Sequence, residues 1–173
     1  TSGANAVWSF GTLTLAGTNN DSFAAPSATE LTSYPGTTQV LTISGAASSQ
    51  VFHKVTGSDL SLTGASNPEF TLNYNTDNAL IGTYPLTYGN AAINDNIAGD
   101  ITAEGLNTSY TGTINTEVDA HGTISFSVTG QGAYSGNVTR VISQQSIAFN
   151  FFGIAPGTAT MTTINYYKNA DGA

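Results

Sequence analysis

The amino-acid sequence predicts an all-β chain, an antiparallel β-sandwich of Ig-like or jelly-roll-like type, and three observations predict it. Apolar residues alternate with small polar ones at a period of two, as in Phe70, Leu72 and Tyr74; Tyr84, Leu86 and Tyr88; Ile124, Phe126 and Val128; and Ile147, Phe149 and Phe151. Clusters of Gly, Asn, Asp, Ser and Pro punctuate these runs, at residues 18–22, 64–68 and 155–157, and supply turn conformations. A sustained helical period is missing, and one short helical turn is expected at residues 92–97.

Taken in order, strands are expected near residues 6–16, 38–44, 50–56, 59–63, 69–75, 82–88, 99–103, 108–116, 122–129, 133–142, 145–152 and 158–167. The clearest hairpin spans residues 108–129, where Tyr110, Gly112 and Ile114 alternate before a turn at 119–122 and Ile124, Phe126 and Val128 alternate after it. The trio Ile124, Phe126 and Val128 is expected to share a core with Ile147, Phe149 and Phe151. The last strand has ten residues, 158–167, without Gly, Pro or charge. It is expected as a centrally paired member with Ile164 and Tyr166 turned inward, because such a segment left unpaired invites aggregation. The 173 residues suit one core, divided into an extended amino-terminal strand at 1–17 and a sandwich body at 18–173.

Composition narrows the function classes. Charged residues make up 8% of the chain, and Ser, Thr, Asn and Gly fill the polar positions instead. Three basic residues, Lys54, Arg140 and Lys168, stand against eleven acidic ones, so the net charge of -8 leaves no stripe to track phosphates or anionic lipid. Cysteine is absent, which removes disulfides and thiolate metal sites. No run approaches the roughly 20 apolar residues that span a bilayer, and the amino end lacks a basic-then-apolar leader. The chain is therefore expected as the mature form of an exported protein, at the cell surface or outside it.

Catalytic signals are weak. His121 follows Asp119 by two residues, a spacing at which a carboxylate can orient an imidazole, while His53 lies in a strand beside Lys54. No nucleophile elbow or zinc-helix motif accompanies either, and an exposed turn histidine explains His121 as well. Glu69, Glu104 and Glu117 are the carboxylates that a glycosidase would need in pairs. Asn94, Asp95, Asn96 and Asp100 offer hard oxygen ligands for Ca2+ without a full EF-hand pattern, and the Asx clusters at 19–21 and 75–78 are similar. Asx side chains also favour turns by bonding the local backbone. Asn20, Asn107 and Asn137 each open an N-x-Ser/Thr glycosylation pattern. Trp8, Tyr34, Tyr84, Tyr88, Tyr110 and Tyr134 are candidates for a sugar-stacking platform, although strand aromatics also fill cores.

The two ends carry the strongest assembly signal. Residues 6–17 are extended with Gly11 in mid-strand, and residues 157–167 run in Thr-rich β-formers up to the pair Tyr166 and Tyr167. In these segments the chain resembles cysteine-free, pilin-like β-sandwich subunits of donor-strand-assembled extracellular fibres. The resemblance implies a filament subunit whose partners are copies of itself, with Val7, Trp8, Phe10, Gly11, Leu13 and Leu15 as the donor strand. It also implies Met161, Ile164 and Tyr166 as the acceptor edge, a sandwich completed by a neighbour's strand, and no catalytic role. The alternative is a secreted carbohydrate-binding or adhesin module whose partners are surface glycans. Low charge favours assembly, since neutral hydroxyl-rich surfaces approach one another without repulsion.

Overall fold

A computed structural model describes residues 2–46, 48–151 and 153–168. The chain is all-β among these residues, with eleven strands and one short helix: β1 (Gly3–Leu13), β2 (Asn19–Ala24), α1 (Ala28–Ser33), β3 (Gln39–Gly45), β4 (Ser49–Thr56), β5 (Asp59–Ser66), β6 (Phe70–Asp77), β7 (Ala79–Thr83), β8 (Ile93–Ala103), β9 (Leu106–Val128), β10 (Gly132–Phe151) and β11 (Ala155–Lys168). They join one open sheet in the order β11-β10-β9-β8-β6-β5-β4-β3-β2, with β7 added on β5 and β1 added on β9. Every pairing is antiparallel except that of β1 with β9.

The spine is the β9–β10 hairpin, whose strands of 23 and 20 residues are far longer than the usual 5–6. The expected turn at 119–122 is not there. Val118 faces Val141 and Ala120 faces Arg140, so Asp119 is the extra residue of a β-bulge and the strand continues through it. Bulges recruit the same small polar residues as turns, and here the partner strand extends past the irregularity. The bulge also shifts the register of β10. On β10 itself the alternation is unbroken, so odd residues such as Ile147 face the main cluster and even residues such as Val138 face the opposite side, where the second cluster lies. The two aromatic-aliphatic trios therefore do not share a core: Ile124 and Phe126 belong to one cluster, Ile147 and Phe149 to another.

Other elements differ from expectation for equally local reasons. Of the helical turn expected at 92–97, residues 93–97 form part of β8 instead, and β8 turns into β9 through Glu104 and Gly105, both at positive φ. That two-residue turn with left-handed backbone matches the twist of the flanking strands. Tyr84 and Pro85 end β7, so the run to Tyr88 is a loop. Residues 19–24 form β2, an edge strand exposed on both faces that therefore shows no apolar alternation. Helix α1 is capped by Ser27, whose side chain accepts from the Glu30 amide while the Glu30 carboxylate accepts from the Ser27 amide. β11 is the outermost strand of the path and pairs only with β10, not the central member expected. Met161 and Ile164 are about half exposed in consequence (50% and 49%).

The sheet is rolled. The Tyr74 hydroxyl on β6 donates to Gln145 Oε1 on β10 at 2.8 Å, with β8 and β9 between their strands. Three strand spacings in a flat sheet would be about 14 Å. Rolling encloses the main cluster, Leu72, Tyr74, Ala79, Ile97, Ile101, Tyr110, Ile114 and Ile147. A second cluster lies at the far end of the spine and joins Ala6 and Trp8 of β1 to Ala120, Ile124 and Val138. No helix among the described residues is long and apolar enough to cross a membrane.

Candidate assembly interface

The amino-terminal strand rests on its own chain. β8 pairs with residues 106–116 of β9, and β1 takes over the same edge beyond them, from Gly3 opposite Ala120 to Leu13 opposite Val128. Only Ala6 and Trp8 on β1 are buried. Of the donor candidates, Val7, Phe10, Leu13 and Leu15 are exposed, Val7 by 69%. Gly11 adopts a φ of 65° where the pairing register slips between Ser9 and Thr12. That left-handed turn of the backbone is one that glycine accepts without strain.

The seat under β1 is built from four features. Gly122 lies directly beneath Ala6, and a Cβ there would stand 1.9 Å from the Ala6 carbonyl oxygen, so only glycine permits the approach. The Trp8 ring meets Tyr166 edge-on with centroids 5.2 Å apart. The Arg140 guanidinium carbon lies 5.2 Å from the Trp8 ring centroid, in cation–π range. Arg140 is fixed in turn by Asp119: its Nε donates to Oδ1 at 2.8 Å, and Nη2 pairs with Oδ2. The bulge is what places this carboxylate beside Arg140, and its hydrogen bonds push the guanidinium pKa still higher, so the ring always faces a full cation. Polar contacts finish the strand: Ser127 Oγ donates to Thr12 Oγ1 at 3.0 Å, and the Thr129 amide to the Leu13 carbonyl at 3.1 Å.

The acceptor edge expected on β11 is not the edge that the chain's own β1 covers. β1 pairs with the edge of β9, not with β11; Tyr166 reaches β1 through its ring, which also lies 6.1 Å from Phe10, while Met161 and Ile164 are exposed. The part that Asp119, Arg140 and Gly122 play at the β1 seat escaped the sequence reading, which set Asp119 beside His121 and placed Asp119 and Gly122 in a turn. Arg140 is the chain's only arginine, set within the β run Val138-Thr139-Arg140-Val141-Ile142, and that was the available signal.

The remaining candidates are scattered. His121 lies within β9, partly buried and packed edge-on against Tyr88 with centroids 5.0 Å apart, so it is not a turn tip, and Asp119 is engaged by Arg140 instead. His53 is held in β4, where burial lowers its pKa and its Nδ1 has no hydrogen-bond partner among the described residues. Glu69 and Glu104 flank one shallow depression at the β5–β6 and β8–β9 turns, while Glu117 lies near the middle of β9, roughly 36–40 Å along the strand. Asp95, Asn96 and Asp100 sit on a strand rather than a loop. Asp95 and Asn96 face opposite ways, Asp95 accepts from the Leu80 amide, and Asp100 accepts from Asn75, so they do not converge on one ion. Asn20, Asn107 and Asn137 are all exposed. Trp8, Tyr34 and Tyr110 are buried and Tyr134 packs on Phe126, whereas Tyr84 and Tyr88 face solvent. The chain matches no family model, no curated protein and no solved structure.

Proposed function

We propose that this chain is a structural subunit of an extracellular filament or pilus-like surface fibre, assembled from copies of itself by β-strand complementation. The observation that carries the reading is the attachment of β1: an eleven-residue strand seated by two buried side chains on an edge that needs a strand to cover it. Vacating the seat uncovers Ala120, Ile124 and Val138 together with the backbone groups of residues 120–128, and the β1 of a second copy satisfies both as well as the chain's own does. The rolled sheet then serves as the two layers of a sandwich that a neighbour's strand completes. Low charge and the uncovered, nearly uncharged outer edge of β11 support self-association.

The test is to compare the full chain with a form starting at residue 19, by native size measurement and electron microscopy. The reading expects filaments or a ladder of oligomers from the full chain and their loss on truncation. A full chain that stays monomeric, or filaments of normal length from the truncated form, would overturn it.

A further inference from the structure

We infer that the β1 seat selects its occupant by a short pattern, a left-handed Asn, then Ala, any residue and Trp, then a left-handed Gly, so that the partner it takes is the parallel, in-register β1 of a second copy. The inference deepens the fibre reading and rests on it. The strand that fills the seat in this chain displays the pattern. Ala6, Val7, Trp8 and Ser9 face Gly122, Thr123, Ile124 and Ser125 in turn, and on each side of this run β1 carries one residue more than β9, between Gly3 and Ala6 and between Ser9 and Thr12. Asn5 and Gly11 stand in these two bulges with φ of 55° and 65°. Left-handed backbone is rare outside Gly, Asn and Asp, so the bulges fix where the paired run begins and ends.

Within the run the side chains alternate. Ala6 and Trp8 turn to the seat and are buried, while Val7 turns away and is exposed. Ala6 packs with Ala120, which is 0% exposed, and its backbone lies against Gly122, so a larger side chain at this position overfills the seat. Two residues on, the site is large and shaped for an indole: Tyr166 meets the ring edge-on, and the Arg140 cation, held by Asp119, faces it. The seat thus asks for a small residue first and a large aromatic one second.

The same geometry refuses other strands. A slip of two residues keeps the faces of β1, yet it either sets the indole over Gly122 beside Ala120 or leaves Ala6 opposite Ile124, where the aromatic site goes unfilled. Reversing the strand exchanges the two sites, and the indole again meets Ala120. The chain holds one tryptophan, so none of its other strands supplies the pattern, whereas the β1 of a copy does.

Two measurements test it. In the full chain, hydrogen exchange of the amides of residues 122–125 should quicken about tenfold or more in Ala6→Leu, Trp8→Ala and Gly11→Val, and less than about twofold in Val7→Thr and Leu13→Thr. In trans, a full chain carrying Ala6→Leu and Trp8→Ala together should take up a synthetic peptide of residues 2–14 saturably. Placing Ala6→Leu, Trp8→Ala or Gly11→Val in the peptide should weaken its binding about tenfold or more, Val7→Thr should not, and a nitroxide at its amino end should broaden the NMR signals near residue 120 rather than near 128. The inference is overturned if all five single variants exchange alike, if the double variant does not bind the unaltered peptide, if the altered peptides bind as well as the unaltered one, or if the nitroxide reports the reverse orientation. Selective peptide binding by a chain that never forms filaments would remove the fibre reading alone. Filaments lost on truncation at residue 19 but kept by the double variant would remove this inference alone.

Discussion

The two apolar clusters of this molecule are built in different ways. The main cluster draws Leu72, Tyr74, Ala79, Ile97, Ile101, Tyr110, Ile114 and Ile147 from β6, β7, β8, β9 and β10, and no one strand supplies most of it. The second cluster needs β1, which brings Ala6 and Trp8 to a surface of Ala120, Ile124 and Val138. Losing one strand from the first destroys the cluster; losing β1 from the second leaves the rest of the sheet paired as before. The difference teaches how the body and the strand added to it could part: β1 brings two buried side chains, Ala6 and Trp8, to a sheet whose other strands pair without it.

The largest effect is expected in the body. Ile97→Asp puts a carboxylate without a partner at a site 1% exposed, a cost of several kcal/mol against a total stability of about 5–15, so the chain should unfold, as circular dichroism would show. Trp8→Ala removes a comparable amount of packing, about 3–5 kcal/mol. Here the strand should be released while the body persists with a urea midpoint of its own. Gly122→Ala should give the same outcome through the clash with Ala6, and loss of the main cluster in either variant would erase the distinction between the two regions.

A smaller effect separates the clusters by pH. Burial raises the Tyr74 hydroxyl from 10.0 to about 12, so the folded state favours the neutral phenol. The associated stability is complete below pH 10 and is lost as pH rises towards 12, by about 2–3 kcal/mol at most. Burial first, and then the nearby charges of Tyr74 and Asp100, push Tyr110 up further. Alkaline urea titrations should therefore show the body weakening across this window, and Tyr74→Phe should flatten that slope. The smallest effect belongs to the edge. Ile164→Asp, at a half-exposed position on β11, should change monomer stability by no more than about 0.5 kcal/mol.

Much of the fold was legible in the sequence where burial is one-sided. The period of two located β6, the later part of β8 and the stretches of β9 and β10 that line the main cluster, since each hides alternate residues, but it missed Ala79 of β7 and put Ile97 in a helical turn. It could not find β2, which hides neither face, and it could not place β11, because an uncharged Thr-rich run reads alike at the centre and at the edge of a sheet. Asp119, Ala120, His121 and Gly122 look like a turn, yet the bulge at Asp119 positions a carboxylate for Arg140, and Gly122 makes room for Ala6. The helix was marked by Ser27 and Glu30 at capping-box spacing, a signal present in the residues themselves and missed because the segment is short. Of the residues at the β1 seat, Trp8 and Tyr166 were visible as aromatic β-formers at the chain ends. Their common partner Arg140 was not, since long-range register decides which strand it meets.

Native-state hydrogen exchange on the monomeric full chain tests the separability of β1 most directly. Residues 6–9 should exchange through a partial opening whose free energy lies at least about 2 kcal/mol below that of residues 97–101 and 110–114, with the latter exchanging only on global unfolding. One opening free energy shared by β1 and the main-cluster strands would contradict the account, because β1 would then be an integral part of the body and could not be given to a neighbour.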